Sequence, residues 1–142
     1  MSQGLRGVLL AAGRGTRMHS DLPKVLHEVF GRALLDYPLE ILKQIGIRRP
    51  LVIVGWGKEK VRSYLEGRAE TLVQSPQLGT GHAVGVAKRK IGSLKRDLLI
   101  WPADMILVKK KTVERLIQCH RESRSRVTIL SSFRVDPTGY GR

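Results

Sequence analysis

The sequence predicts an α/β fold, a mostly parallel sheet with helices on both faces. Two observations carry that prediction. Short apolar runs of strand length alternate with longer stretches whose apolar residues recur every three or four positions. In addition, the glycine-rich and polar segments suited to chemistry fall directly after the apolar runs. Ligands of parallel sheets collect there, at the carboxyl ends of the strands.

Val8–Ala12 is a continuous apolar run, the pattern of a strand buried on both faces. Leu39, Leu42 and Ile45 then share one helical face, with Asp36 and Pro38 as start signals. Leu51–Val54 reads as a second buried strand, and Val61 with Leu65 resumes helical spacing. Thr71–Gln74 is a shorter strand, followed by a helix carrying Val84, Ala87 and Ile91. Leu98–Trp101 is the next buried strand, and Val113, Leu116, Ile117 and His120 mark the last helix. Val127–Leu130 closes the series as a further buried strand. No repeat, low-complexity tract or linker interrupts the alternation, and 142 residues suffice for one domain with its own core.

Apolar residues at 42% and charged residues at 27% exclude a disordered chain. A single cysteine, Cys119, excludes an internal disulfide and reads as a helix residue near the core. With no secretory or membrane-spanning segment visible, the expected location is the cytoplasm, with no membrane partner. The excess of 26 basic over 12 acidic residues opens a nucleic-acid reading. Yet the basic residues are spread evenly, 12 in residues 1–70 and 14 in residues 71–142. The two tight runs, Lys88-Arg89-Lys90 and Lys109-Lys110-Lys111, lack interleaved aromatics for base stacking. Most of this charge therefore reads as solvated surface that draws in anionic substrates, and nucleic-acid binding is the lesser alternative.

The densest chemical signal is Leu10-Ala11-Ala12-Gly13-Arg14-Gly15-Thr16-Arg17-Met18, followed by Pro23-Lys24. Gly13 and Gly15 allow a sharp turn whose amides approach phosphate oxygens. Arg17 offers a planar, permanently charged fork, and Lys24 a movable point charge. Two commoner phosphate motifs fail here. The dinucleotide fingerprint requires Gly or Ala where Met18 stands, and the Walker A loop requires a different glycine spacing and Lys-Ser/Thr. A bare Gly-x-Gly is equally an ordinary strand-to-helix turn; Arg17 and Pro23-Lys24 shift the reading toward phosphate binding.

These residues resemble the sugar-phosphate nucleotidyltransferases, whose signature is L-x-x-G-x-G-T-R-M/L with a following Pro-Lys pair. The continuation Pro23-Lys24-Val25-Leu26-His27 is most similar to bacterial N-acetylglucosamine-1-phosphate uridylyltransferases. Gln74 to Val84 (with Gly79-Thr80-Gly81), the Asp104 region and Asp136 to Arg142 add three further matches in the same order. The resemblance implies a Rossmann-like sheet of the nucleotide-diphospho-sugar transferase type, incomplete at its carboxyl end. Residues 1–142 would then be the amino-terminal part of a single MobA-like nucleotidyltransferase domain. In such proteins the domain continues with an acidic residue and an asparagine for the sugar and a second asparagine for the metal. A left-handed β-helix acetyltransferase domain follows, absent from this chain.

The implied reaction transfers UMP from UTP to N-acetylglucosamine 1-phosphate, giving UDP-N-acetylglucosamine for peptidoglycan and releasing pyrophosphate. Resemblance puts Leu10, Ala11, Ala12, Gly13 and Gly15 around the nucleotide, with Arg17 and Lys24 as catalytic cations on its phosphates. It puts Gln74, Gly79 and Thr80 at the uracil and ribose, Gly139 at the amino sugar, and Asp104 on Mg2+. Ala103 stands where the family has glycine, which predicts an altered backbone approach to the sugar nucleotide. From the residues alone, Gln74 is as readily a polar strand end, Gly79-Thr80-Gly81 a helix-opening loop and Asp104 a turn or capping aspartate. His82 lacks partners at zinc spacing and reads as structural. Binding of UTP without transfer, and a related transferase of other base or sugar, are the alternatives.

Overall fold

The computed structural model describes residues 4–92, 96–133, 135–136 and 138. They form two units, Met1–Val108 and Lys109–Arg142.

In the first unit, the leading apolar run forms β1 (Leu5–Ala11), with β2 (Glu28–Val29) and β3 (Arg32–Ala33) as a small hairpin after it. There follow α1 (Asp36–Gln44), β4 (Leu51–Val54), α2 (Lys58–Tyr64), β5 (Glu70–Val73), α3 (Thr80–Ile91) and β6 (Asp97–Pro102). The four longer strands make one parallel sheet in the order β5-β4-β1-β6. Its register runs Val8↔Leu51 to Ala11↔Val54 on one side of β1, and Leu5↔Asp97 to Leu10↔Pro102 on the other.

Every residue of β4 is buried, as its unbroken Leu-Val-Ile-Val demands of a strand covered on both faces. Successive side chains of β1 point to opposite faces, which sorts the helices. Val8 and Ala12 join Leu51 and Ile53 of β4 and Ala83, Ala87 and Ile91 of α3 in one apolar cluster. Gly7, on the other face, lies against α1: a Cβ there would sit 3.3 Å from Leu42 and 3.2 Å from Ile47. Leu9, Leu42, Leu51 and Ile53 are fully excluded from water, and each such side chain contributes about 1.5–3 kcal/mol.

Most predicted elements are present, with three corrections. β6 was expected to be buried throughout, but Leu98 and Ile100 are 39% and 40% exposed while Leu99 and Trp101 are buried. β6 is an edge strand of this sheet, so its side chains alternate as those of a half-covered strand do. The hairpin had no sequence signal because its strands are two residues long; Phe30 and Gly31 make its turn at φ 52° and 69°, as tight hairpins require.

The second unit contains α4 (Lys110–Ser123), which buries Val113 and Ile117 and ends at Arg124 in the left-handed conformation. Val127–Leu130, expected as a buried strand, forms no strand, and Val127, Ile129 and Leu130 are exposed. An apolar run becomes a strand only beside a neighbour that satisfies its backbone, and no ladder reaches it among the described residues. Cys119, expected near the core, is exposed. It lies two residues beyond buried Ile117, about 200° round the helix.

Candidate active site

The loops leaving the carboxyl ends of β1, β4, β5 and β6 carry nearly all the residues singled out above. β1 ends at Ala11, and Leu10 still belongs to the ladder, where its carbonyl accepts from Ala103 N at 3.0 Å. Ala11 and Ala12 are buried. Gly13 is exposed, and a Cβ there would meet nothing, so its backbone faces open space. Gly15 turns the chain at φ 67°, and Met18 N closes the following 3-10 turn on Gly15 O at 2.9 Å. Arg17 sits in that turn, exposed and with no hydrogen bond or ion pair among the described residues.

Gly15 is required for a second reason besides its φ. A Cβ there would lie 2.7 Å from Lys24 Cβ, so the glycine lets the lysine stem pack directly on the loop backbone. Lys24 opens its own 3-10 turn, Lys24–Leu26, behind the fully buried Pro23. From there Lys24 Nζ donates to Asp104 Oδ2 at 2.5 Å, across eighty positions of sequence. Asp104 follows β6 in a turn fastened by the buried Trp101, whose Nε1 donates to Met105 O at 3.1 Å. Ala103 is wholly buried, so its methyl is taken up inside the protein.

Gln74 is buried just beyond β5, and its Nε2 donates to Gly79 O at 2.9 Å and to His82 Nδ1 at 3.1 Å. Its amide thus spans the loop that leads into α3, where Thr80 and Gly81 stand exposed in the first turn. Gly79 caps that helix at φ 91° without a side chain, leaving the first amides open. Gly139 lies outside the described residues.

One part of the site was missed by sequence analysis. Gly55-Trp56-Gly57, after β4, is a second Gly-x-Gly directly after a buried strand, and that spacing was the available signal. Trp56 N donates to Ala12 O at 3.2 Å, and Arg14 lies over the Trp56 ring at 5.6 Å. A Cβ on Gly55 would meet Ala12 O at 2.6 Å and Gln77 Nε2 at 2.7 Å; one on Gly57 would meet Pro23 at 2.5 Å. This short turn therefore buttresses the β1 loop, the Pro23-Lys24 turn and the β5 loop together.

As to a metal, no group of three His, Cys, Asp or Glu side chains that could hold one occurs among the described residues. Asp104 supplies a single carboxylate, its side chain 36% exposed and beside a cation. That donor set does not cage an ion. It does fit Mg2+ held by one carboxylate, with waters and substrate phosphates completing the shell.

Residues 7–140 match the MobA-like NTP transferase domain. The chain belongs to that family. It is 44% identical over 138 residues to the bifunctional protein GlmU of Carboxydothermus hydrogenoformans, covering 97% of this chain and 30% of the relative. Its fold is similar to that of a UDP-glucose pyrophosphorylase from Acinetobacter baumannii, at TM-score 0.73 and 21% identity over 84% of this chain and 53% of that one. It is similar also to a Mycobacterium tuberculosis H37Rv protein solved in complex with manganese, at TM-score 0.66 and 22% identity over 84% of this chain and 60% of that one. These likenesses bear out the α/β nucleotidyltransferase fold. The chain spans 30% of the length of the GlmU relative.

Proposed function

We propose that this chain forms the nucleotide-binding part of a uridylyltransferase that joins UTP to N-acetylglucosamine 1-phosphate and releases pyrophosphate. The observation that carries the reading is the meeting of Lys24 and Asp104, 2.5 Å apart, at the mouth of the Gly13–Arg17 loop. A movable cation and a hard oxygen ligand beside open backbone amides are what a magnesium–triphosphate needs. The choice of uracil and of an amino sugar is supported by the GlmU relatives. A cytoplasmic location and the supply of a cell-wall precursor go with the same reading.

The attacking phosphate oxygen of the sugar is already anionic, so no general base is required. The residues must hold two anions in line and absorb charge as pyrophosphate leaves. Arg17, with no hydrogen bond or ion pair among the described residues, can fork onto phosphate oxygens, and the amides from Ala11 to Gly15 add fixed donors. Lys24 can exchange the Asp104 carboxylate for the triphosphate without moving its stem, which Gly15 holds. Asp104 would hold Mg2+, whose bound charge would neutralise the phosphates. Gln74 acts on the β5 loop, fixing Gly79 beside the exposed Thr80.

The test is pyrophosphate release from UTP and N-acetylglucosamine 1-phosphate with Mg2+, beside calorimetric UTP binding. Release that needs both substrates is expected. A chain that neither binds UTP nor releases pyrophosphate overturns the reading. Binding without release limits it to nucleotide capture.

A further inference from the structure

A groove of about 710 Å³ runs along one flank of α1, away from the site described above. Pro50, which leads into β4, and Arg68, just before β5, form its far wall. It therefore opens at the amino ends of the parallel strands, whereas the candidate active site occupies their carboxyl ends. A four-residue strand alone separates the two ends by about 13 Å.

The charges in this groove are unequal and differently engaged. Four cations, Arg32, Lys43, Arg48 and Arg68, face two carboxylates, Asp36 and Glu40. Asp36 has both oxygens occupied, Oδ1 by Arg68 at 2.8 Å and Oδ2 by the Tyr64 hydroxyl at 2.5 Å. Glu40 accepts from Gln44 Nε2 at 3.0 Å. Arg68 is stacked on Tyr64 at 4.6 Å and donates to the Tyr64 carbonyl at 2.7 Å, and Arg32 is stacked on Tyr37 at 4.9 Å. Both guanidiniums are thus oriented in advance, which lowers the entropy lost on binding. The Lys43 and Arg48 side chains have no hydrogen-bond or ion-pair partner among the described residues.

We propose that this groove is a second anion site, for a ligand carrying a chain of at least two phosphates. One phosphate would leave most of the volume empty and could not answer two free cations together with two fixed guanidiniums. The Tyr37 and Tyr64 rings each already carry a guanidinium on one face, which disfavours base stacking and favours an inorganic oligophosphate over a nucleotide. The site stands independently of the transferase reading.

The experiment is calorimetric titration of the full chain with tripolyphosphate, and separately with UTP. Wild type should bind two equivalents of tripolyphosphate. Lys43→Gln with Arg48→Gln should weaken one of them at least tenfold, and Lys43→Glu with Arg48→Glu should remove it. Lys88→Glu with Arg89→Glu, reversing the same charge on α3, should keep both. UTP filling only the other equivalent supports a free oligophosphate, and UTP filling both supports the phosphate tail of a nucleotide. A wild type in which no bound equivalent responds to the Lys43 and Arg48 changes overturns the proposal, as does a loss equally produced by the α3 control. Arg17→Ala with Lys24→Ala should remove the equivalent that the groove variants keep. Failure there counts against the transferase reading and leaves the groove standing.

Discussion

Lys24 Nζ rests 2.5 Å from Asp104 Oδ2, so the lysine that would hold the triphosphate occupies the carboxylate that would hold its metal. In the absence of nucleotide the two functions compete for one group. Lys24→Met removes the ammonium and keeps the stem on which Gly15 packs. Cation affinity of the nucleotide-free protein should rise by up to roughly fivefold, the equivalent of about 1 kcal/mol for an exposed pair. Transfer should fall by about 10²–10³-fold, through lost charge stabilisation. Manganese titration followed by electron paramagnetic resonance, with steady-state kinetics, checks both signs.

Arg17→Ala should lower turnover by roughly 10²–10³-fold if Arg17 stabilises charge developing on the phosphates. Arg17 is exposed and has no hydrogen bond or ion pair among the described residues, so thermal stability should change by no more than about 0.5 kcal/mol. Full turnover in the variant would remove Arg17 from the mechanism.

Gly15→Ala meets two obstacles at once, a φ of 67° and a Cβ placed 2.7 Å from Lys24 Cβ. The left-handed conformation alone costs about 1–2 kcal/mol. The stem of Lys24 must also move, so UTP affinity should drop further than in Gly13→Ala, where a Cβ meets nothing. Calorimetry on the pair of variants measures the difference.

Gln74→Leu leaves Gly79 O and His82 Nδ1 without their buried donor. The expected loss is about 1–3 kcal/mol of stability, with faster amide exchange in the 75–81 loop. A variant as stable and as protected as wild type would mean that the loop does not depend on Gln74.

Glu70 links stability to acid. Burial raises its pKa, but the hydrogen bond and charge of Arg6, with Lys90 and Arg49 nearby, outweigh that and hold it below the ordinary glutamate range. A depressed carboxylate adds stability above the unfolded pKa and loses it as pH falls through the folded value. Glu70→Gln should therefore lower Tm at pH 7 and leave it nearly unchanged near pH 3. Thermal melts across that range decide the matter.

Much of the sheet was legible because β1 and β4 are buried on both faces, which leaves unbroken apolar runs that little else produces. Val127–Leu130 carries the same pattern and is not a strand, since a run states only that a chain could pair, not that a neighbour is there. The β1 loop and Asp104 were visible as a motif and as an acid after a strand. The contact of Lys24 with Asp104 was not, because eighty positions separate them and the ladder between β1 and β6 carries Asp104 to the end of the sheet where β1 also ends. Gly55-Trp56-Gly57 shows in the sequence only as a Gly-x-Gly spacing, because its role is mechanical: close approach to Ala12 and Pro23 needs no chemically distinctive residue.

The uncovered apolar positions have a practical consequence for the chain in solution. Among the described residues the β6 edge offers unpaired backbone beside Leu98 and Ile100, and Val127, Ile129 and Leu130 are exposed apolar side chains in an uncharged stretch. What opposes edge-to-edge association is the net charge of +14, which makes like molecules repel. Salt shortens the reach of that repulsion to about 8 Å at 0.15 M ionic strength. Colloidal stability should therefore fall as sodium chloride is added, and light scattering of this chain should rise with ionic strength.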